Sequence, residues 1–395
     1  MKIDRELIYY NIFAFLISFS LERALSFFFL TEHGYSIGEI STIQIILAVS
    51  SLLTGLPAGI VSDNIGRAPT LALGAILKLF ALLGQFVYVE NFYAICLVTI
   101  GQGISLSLIG STLNAAVFEA LQSRDRSSEF GSRSAILALF ISTAIALAMI
   151  LAGLVKNKTG WSGIYFASAS TAGLAVIPLI YAFKVRPKRL MGAIDHQNKI
   201  RITCQSIDIA TVRRAVPFSL IHMGVVPLFV YGSAILHETG LSEGISSFSI
   251  GAIELFGALL TASTYLYIKI IPTKWIFLLM MLTGTAPLLN WYEGPIVAVI
   301  SIFIANTAGL FLETAGEQIF NNEILENSGR ASTLAAISTM DIIFIAGGSK
   351  IFAYTAAMFG KQNGVACLAI FPLIGALIQI KTISNVKKSR SHLVS

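Results

Sequence analysis

Two glutamates four residues apart, Glu313 and Glu317, lie in one of the long apolar stretches of this chain. Residues four apart on a helix share one face, with Cβ atoms about 5–6 Å apart. Two ionised carboxylates at that distance repel each other, so we expect one of them to keep its proton near neutral pH. Glu313 is the deeper of the two, and we predict that it binds and releases a proton. Glu317 either modulates that proton or is simply solvated at the helix end.

Further ionisable side chains interrupt other apolar stretches, where a charge costs about 2.5–3.5 kcal/mol at mid-helix on insertion scales. Glu22 and Arg23 are adjacent, and on a helix their side chains point about 100° apart, so they cannot bond only each other. Glu254 and Asp341 each fall near the middle of a stretch, and His222 has an ordinary pKa in the physiological range. Each of these residues is either a functional site or a packing residue that hydrogen-bonds to a neighbouring helix.

Two more charged residues need partners. Lys78 lies in the middle of an apolar stretch, and we expect a buried acidic partner that the sequence does not identify. Glu119 closes a stretch just before the polar turn SRDRSSEFGSR. It is either a member of ion pairs with Arg124, Arg126 and Arg133 or a solvated residue at a helix end.

The composition indicates a membrane protein. The 395 residues are 55% hydrophobic and 12% charged, whereas a soluble domain carries roughly 25% charged residues. Apolar stretches recur along the whole chain, and about 20 apolar residues span the hydrocarbon core as a helix. We therefore predict an all-α polytopic membrane protein with twelve transmembrane helices. The predicted spans are residues 7–30, 38–62, 68–89, 92–118, 134–155, 161–183, 214–236, 245–268, 274–292, 295–319, 331–355 and 363–381.

The basic residues predict the orientation. With twelve spans both termini lie on one side, and if that side is cytoplasmic, 21 of the 27 Lys and Arg residues lie in cytoplasmic segments. Only Lys156, Lys158 and Lys361 then lie outside, which fits the positive-inside rule. The net charge of +6 is thus a topology signal, and we expect a lipid bilayer rather than nucleic acid as the partner.

One long polar interruption divides the chain. We predict an N-terminal six-helix bundle at residues 1–183, a cytoplasmic inter-bundle loop at 184–213, a C-terminal six-helix bundle at 214–382 and a basic cytoplasmic tail at 383–395. The segments FEAL after the fourth span and NEIL after the tenth occupy equivalent positions, which indicates weak internal duplication.

Several chemistries find no support in the sequence. The three cysteines, Cys96, Cys204 and Cys367, are scattered without metal-ligand spacing, so we expect neither a disulfide framework nor a metal site. The chain lacks a GxxxxGK[ST] phosphate loop, an HExxH motif and a GxSxG elbow. We therefore expect no cofactor and no enzyme activity.

The polar turn between the second and third spans carries a motif, Gly59-x-x-x-Asp63-x-x-Gly66-Arg67. We expect Gly59 to permit close helix approach, Asp63 to supply an anion where a helix ends, and Gly66 to permit the tight turn before Arg67. The motif resembles the signature loop between helices two and three of the major facilitator superfamily of secondary transporters.

The match to that loop is partial, because Asn64 and Ala68 stand where the family usually has basic residues. Proton-coupled members often carry an Arg three residues before Gln-Gly on helix four, and here Thr99 precedes Gln102-Gly103. Drug-exporting antiporters often have a Gly-Pro pair in helix five, and Leu137–Leu154 contains no proline. These departures argue against a multidrug proton antiporter but leave other exporters open.

The resemblance implies two six-helix bundles that rock around a midplane site, with helices one, four, seven and ten lining the cavity. We predict proton-coupled efflux of a small organic molecule, as in the exporter-type branches, from the bacterial cytoplasmic (inner) membrane. The alternatives are proton-coupled uptake of a polar metabolite, or a receptor or sensor that kept the fold without transport. The oligomeric state stays open.

The orientation can be tested by labelling. Cysteines introduced at Asn157 and Gln362 should react with an impermeant thiol reagent on intact cells, because the basic residues place both turns outside. Replacing Cys96 and Cys367 leaves Cys204 as an internal control, which should react only after lysis. Labelling of positions 157 and 362 only after lysis would reverse the orientation.

Overall fold

The chain folds as a series of long helices. The computed structural model describes residues 5–124, 126, 129–185, 209–267, 273–291, 294–324 and 330–379, and this part of the chain contains no strand. It confirms an all-α polytopic membrane protein. The predicted tail and most of the predicted loop at 184–213 lie outside the described residues.

The helices of the first half are α1 (Arg5–Ser18), α2 (Ser26–Glu32), α3 (Ile37–Ile65), α4 (Arg67–Val87), α5 (Phe92–Gln122), α6 (Phe130–Leu174) and α7 (Val176–Val185). Those of the second half are α8 (Ile209–Val230), α9 (Gly232–Glu238), α10 (Glu243–Tyr267), α11 (Thr273–Thr285), α12 (Pro295–Ile324), α13 (Arg330–Phe359), α14 (Lys361–Leu368) and α15 (370–379). Two 3₁₀ segments, Leu21–Ala24 and Ala286–Trp291, follow α1 and α11.

Twelve spans are compatible with these helices. Within the described residues, nine helical stretches are long and apolar enough to cross a membrane. One of them, Arg133–Lys184, has 52 residues and room for two crossings, since a helix rises 1.5 Å per residue. Gly160, with a φ of 67°, divides it where the sequence predicts the turn. The broken pair α1 and α2 and the shorter apolar helix Trp275–Asn290 account for the first and ninth spans.

The residues group into two compact units. Unit 1 comprises residues 1–35, 42–201 and 243–262, and unit 2 comprises 36–41, 202–242 and 263–395. The first twenty residues of α10 thus belong with unit 1, although the sequence places this helix in the second bundle. The core of unit 1 includes the fully buried Phe13, Leu71 and Leu121, and that of unit 2 includes the fully buried Met280.

Small residues bring α10 against α6 within unit 1. A Cβ atom added to Gly153 would lie 2.5 Å from the Cα of Gly244, and one added to Gly251 would lie 2.8 Å from the carbonyl oxygen of Ala146. The Ser247 hydroxyl donates to the carbonyl oxygen of Met149 at 2.6 Å. The two backbones therefore pack with almost no side chain between them, as is common where small residues line helix contacts in membranes.

This contact gives an asymmetric prediction. Gly153→Ala should destabilise the protein by about 1–3 kcal/mol, because the new methyl group meets backbone that cannot move aside alone. Gly244→Ala is the matched control, since its Cβ would lie 3.7 Å from the Gly153 Cα, an ordinary contact. Thermal unfolding of purified protein measures both variants, and equal melting temperatures would contradict the packing described.

Candidate functional site

The first predicted span is broken at its middle. The sequence predicts one helix over residues 7–30, but α1 ends at Ser18 and Leu21–Ala24 form a 3₁₀ turn before α2. Glu22 and Arg23 lie on this turn. The two residues differ in exposure: Glu22 is buried, with 6% of its surface exposed, while Arg23 is exposed.

Side chains from two other helices form hydrogen bonds with the backbone N–H and C=O groups that the break leaves without helical partners. Lys78 of α4 donates from Nζ to the carbonyl oxygen of Ile17 at 2.5 Å. From α6, Thr171 Oγ1 donates to the carbonyl oxygen of Phe19 at 3.0 Å, and Ser168 Oγ accepts from the Leu21 amide at 3.0 Å. Non-helical backbone is tolerated at membrane depth only when such partners are supplied.

Lys78 therefore has partners of a different kind from those expected. Its ammonium donates to a carbonyl oxygen and to the Ser20 hydroxyl at 2.7 Å, not to a carboxylate. Glu22 is nevertheless close enough for its charge to act on Lys78. The Oε2 atom of Glu22 is buried and has no hydrogen-bond donor among the described residues.

In unit 2, two residues selected separately from the sequence come together. His222 of α8 and Asp341 of α13 approach within 3.5 Å, measured from Nδ1 to Oδ1. Both side chains are partly exposed, by 19% and 24%. Ser219, one turn before His222, donates its hydroxyl hydrogen to the same carboxylate oxygen. The structure thus builds a titratable pair that includes a hydroxyl which the sequence analysis did not identify.

Three other predicted carboxylates lie on α10 and α12. Glu313 is exposed on α12. Glu317 belongs to the same helix, but its side chain lies outside the described part of the chain, so the predicted repulsion stays a prediction. Glu254 of α10 is buried, with 7% of its surface exposed.

The signature loop forms an ion-pair cluster. Gly66 has a φ of 95°, a left-handed conformation that favours glycine, and it separates α3 from α4. Arg67 pairs with Asp63 at 2.8 Å and donates from Nε to Glu119 at 2.7 Å. One guanidinium thus links the ends of α3 and α5. A Cβ added to Gly59 would meet no heavy atom of the described residues within 4 Å, so the predicted close approach there stays a prediction.

The three arginines predicted beside Glu119 have other carboxylate partners. Arg124 pairs with Glu6 at 2.8 Å, and the Glu6 side chain is 2% exposed. Arg126 and Arg133 both pair with Glu129, at 2.6 and 3.4 Å. The hydrogen bond from Arg126, the largest influence, lowers the pKa of the Glu129 carboxyl below its usual value. The i,i+3 and i,i+4 spacings around Glu129 could have indicated these pairs from the sequence.

A second charged cluster lies at the other end of the helices of unit 1. Lys156 of α6 pairs with Glu32, the last residue of α2, at 2.8 Å and with Glu243, the first residue of α10. Trp161 donates from its indole nitrogen to Glu32 at 2.6 Å, and the Lys156 ammonium lies 3.9 Å from the centre of its ring. We call Glu32, Lys156, Trp161 and Glu243 the lysine clamp.

The clamp shifts the titration of Glu32. Partial burial alone would raise the pKa of this carboxyl, but the hydrogen bonds from Lys156 and Trp161 outweigh burial and leave the pKa below its usual value. The ionised carboxylate is therefore the form that holds α2 to α6. From the sequence Lys156 is only a marker of topology, because its partners come from segments far from it along the chain.

Helices long and apolar enough to cross a membrane make the chain a polytopic membrane protein, and the family it matches is one of transporters. The chain matches the Major Facilitator Superfamily over residues 9–349 and belongs to that family. A search of curated protein sequences finds no match.

Solved structures of transporters share the fold. The nucleoside transporter NupG superposes with a TM-score of 0.73 at 16% identity, covering 95% of this chain and 99% of that chain. A D-xylose-proton symporter superposes with a TM-score of 0.71 at 15% identity, covering 95% and 96%. At these identities the likeness shows the fold alone.

The lysine clamp predicts a pH-dependent stability. Lys156→Met should lower the melting temperature by about 2–4 °C at neutral pH, since it removes two ion pairs of modest strength. Because the folded pKa of Glu32 lies below the ordinary 4.5, its contribution is present above that pH and is lost as the pH falls through the folded pKa. The difference from wild type should therefore shrink below pH 4.5.

Lys158→Met is the matched control, because Lys158 is exposed and two residues away. It should melt like the wild type at every pH. Equal losses for both variants would show that the clamp adds nothing specific to stability.

Proposed function

We propose that the protein moves a small polar organic molecule across the membrane by alternating access, driven by protons. The contact between His222 and Asp341 carries this proposal. It places an imidazole, a carboxylate and the Ser219 hydroxyl together on two spanning helices, with part of each titratable side chain exposed. Intramembrane ionisable groups mark proton and substrate pathways more often than packing.

The chemistry of this pair suits proton coupling. A carboxylate next to an imidazole can bind one proton, with the charge shared between the two groups. The Ser219 hydroxyl holds the Asp341 carboxylate in place. The partly exposed edges of the pair offer hydrogen-bond donors and acceptors, which suits a polar substrate better than an apolar one.

Three other acidic residues, Glu22, Glu254 and Glu313, are further candidates for proton coupling. Glu22 of unit 1 is buried, and its Oε2 atom has no hydrogen-bond partner among the described residues. Glu313, which the sequence favours as the proton carrier, is exposed on α12. Proton carriage by Glu313 with modulation by Glu317 remains our sequence-based hypothesis, and Asp341 is its main competitor.

The direction of transport has two candidates. The sequence favours efflux as an antiporter from a bacterial inner membrane, with both termini in the cytoplasm. The fold shared with a D-xylose-proton symporter and a nucleoside transporter supports uptake as the second candidate. Nucleosides and pentoses are therefore the first compounds to test.

Reconstituted protein tests both questions. Proteoliposomes with an internal pH dye should show proton flux when a nucleoside, a pentose or another member of a polar metabolite panel is added. Reversing the imposed pH gradient and following the radiolabelled substrate assigns the direction. If no compound of the panel gives proton flux or tracer transport, the result favours the hypothesis that the protein is a receptor or sensor without transport.

Variants locate the coupling residue. Asp341→Asn should reduce gradient-driven accumulation by about 10²-fold or more, as expected for loss of a proton-transfer group, while substrate exchange persists. Glu313→Gln is the competing variant, and Glu90→Gln, which changes an exposed loop carboxylate, is the control. If Glu313→Gln abolishes accumulation and Asp341→Asn does not, the coupling site is on α12 and not at the histidine pair.

A further inference from the structure

The break in the first span replaces one specific helix hydrogen bond. In a continuous helix the Ile17 carbonyl would accept from the amide four residues later, which is Leu21. Here Lys78 donates to the Ile17 carbonyl oxygen at 2.5 Å, and the Leu21 amide donates to Ser168 at 3.0 Å. Each half of the lost bond therefore has its own side-chain partner, one from α4 and one from α6.

The break brings a charged carboxyl group into the interior. Glu22 begins the turn that follows, and its side chain is 94% buried with Oε2 lacking a donor among the described residues. An isolated buried carboxylate is strongly unfavourable, so it must be protonated or balanced by a nearby cation. Lys78 is itself buried, with 8% of its surface exposed, and Glu22 acts electrostatically on it.

The hydrogen bonds of Lys78 leave one hydrogen of its ammonium group available to interact with Glu22. Its ammonium has three hydrogens, of which Ile17 and Ser20 accept two. One ammonium hydrogen and one Glu22 oxygen thus remain without hydrogen bonds to each other or to any described residue. The other charged and titratable groups near the pair are Arg23, which acts on Lys78, and Tyr165 of α6, on which Glu22 acts.

We propose that Lys78 is a positioning residue, which holds the first span broken and balances the charge of Glu22, so that Glu22 is a proton-binding carboxyl. The ionised pair is neutral overall. When Glu22 takes up a proton from water, the carboxylate becomes a carboxylic acid and the pair gains one positive charge. Use of this proton in transport rests on the proposed function, whereas the role of Lys78 does not.

Infrared difference spectroscopy tests this role without any substrate. A pH titration of purified protein should show, among the carbonyl bands of its 21 Asp and Glu residues, a band from protonated Glu22 that the spectrum of Glu22→Gln lacks. In Lys78→Met the midpoint of this band should move up by about one pH unit or more, because the cation that favours the ionised form is gone. Lys78→Arg keeps the charge and should restore most of the wild-type midpoint.

Ser168→Ala is the matched control for the geometry of the break. It removes the partner of the Leu21 amide without changing any charge, so its midpoint should stay near that of the wild type. If the carbonyl band assigned to Glu22 is still present in Glu22→Gln, the proposal is wrong. It is also wrong if the titration midpoint of this band is unchanged in Lys78→Met. An equal shift in Ser168→Ala would also overturn it, since the effect would then arise from the shape of the break.

If Lys78→Met does not fold, the yield of folded protein in a second set of variants tests the proposal instead. The double variant Glu22→Gln/Lys78→Met removes both charges and should then recover folded protein, because no unbalanced carboxylate remains. If the double variant fails while Lys78→Arg folds, Lys78 only supports the backbone and the charge balance is wrong. These outcomes do not depend on proton flux in proteoliposomes, so they are separable from failure of the proposed function.

Discussion

Backbone groups in hydrocarbon must find partners within the protein, and this constraint governs the first span. Each unsatisfied N–H or C=O costs several kcal/mol in that setting, so a helix can break only where other side chains replace its bonds. Lys78, Ser168 and Thr171 make that replacement here. The break also affects a side chain, because it places the carboxyl group of Glu22 in the protein interior. A cation used as a hydrogen-bond donor to a carbonyl is thereby also placed beside a buried carboxyl group.

The two ends of unit 1 are held in a different way. Near the signature loop, Arg67 of α4 links the ends of α3 and α5, and at the other end Lys156 of α6 links the end of α2 to the start of α10. Single exposed ion pairs contribute about 1 kcal/mol or less, so neither cluster accounts for the stability of the bundle. Their effect is on geometry, because one cation shared between carboxylates fixes which helix ends lie together. The cation of each cluster is the less exposed partner, at 18% and 17%.

The sequence predicts the architecture well, because hydropathy and the signature motif are local signals. It does not predict the break at Ser18, since residues 7–30 contain neither proline nor glycine that would interrupt a helix. The break depends on tertiary contacts with Lys78, Ser168 and Thr171, which lie far from it along the chain. The same limit applies to His222 and Asp341: each is recognisable alone as an ionisable residue in a span, but only the fold shows that they meet. The close approach at Gly59 stays a prediction from the motif, since the described residues place no heavy atom within 4 Å of an added Cβ there.

Glu22 and Asp341 differ in the kind of neighbour that acts on each carboxylate. Lys78 acts on Glu22 as a cation that the Ile17 carbonyl and the Ser20 hydroxyl hold in place, and in that form it favours the ionised state of Glu22. The neighbour of Asp341 is the imidazole of His222, 3.5 Å away, and in the proposed coupling site a proton is shared between the two groups. The arrangement of Glu22 beside Lys78 suits a carboxyl group that stays ionised until it binds one proton. The arrangement of Asp341 beside His222 suits a group whose charge changes in stages as a substrate or a proton arrives, which is the behaviour required of a site that couples the two.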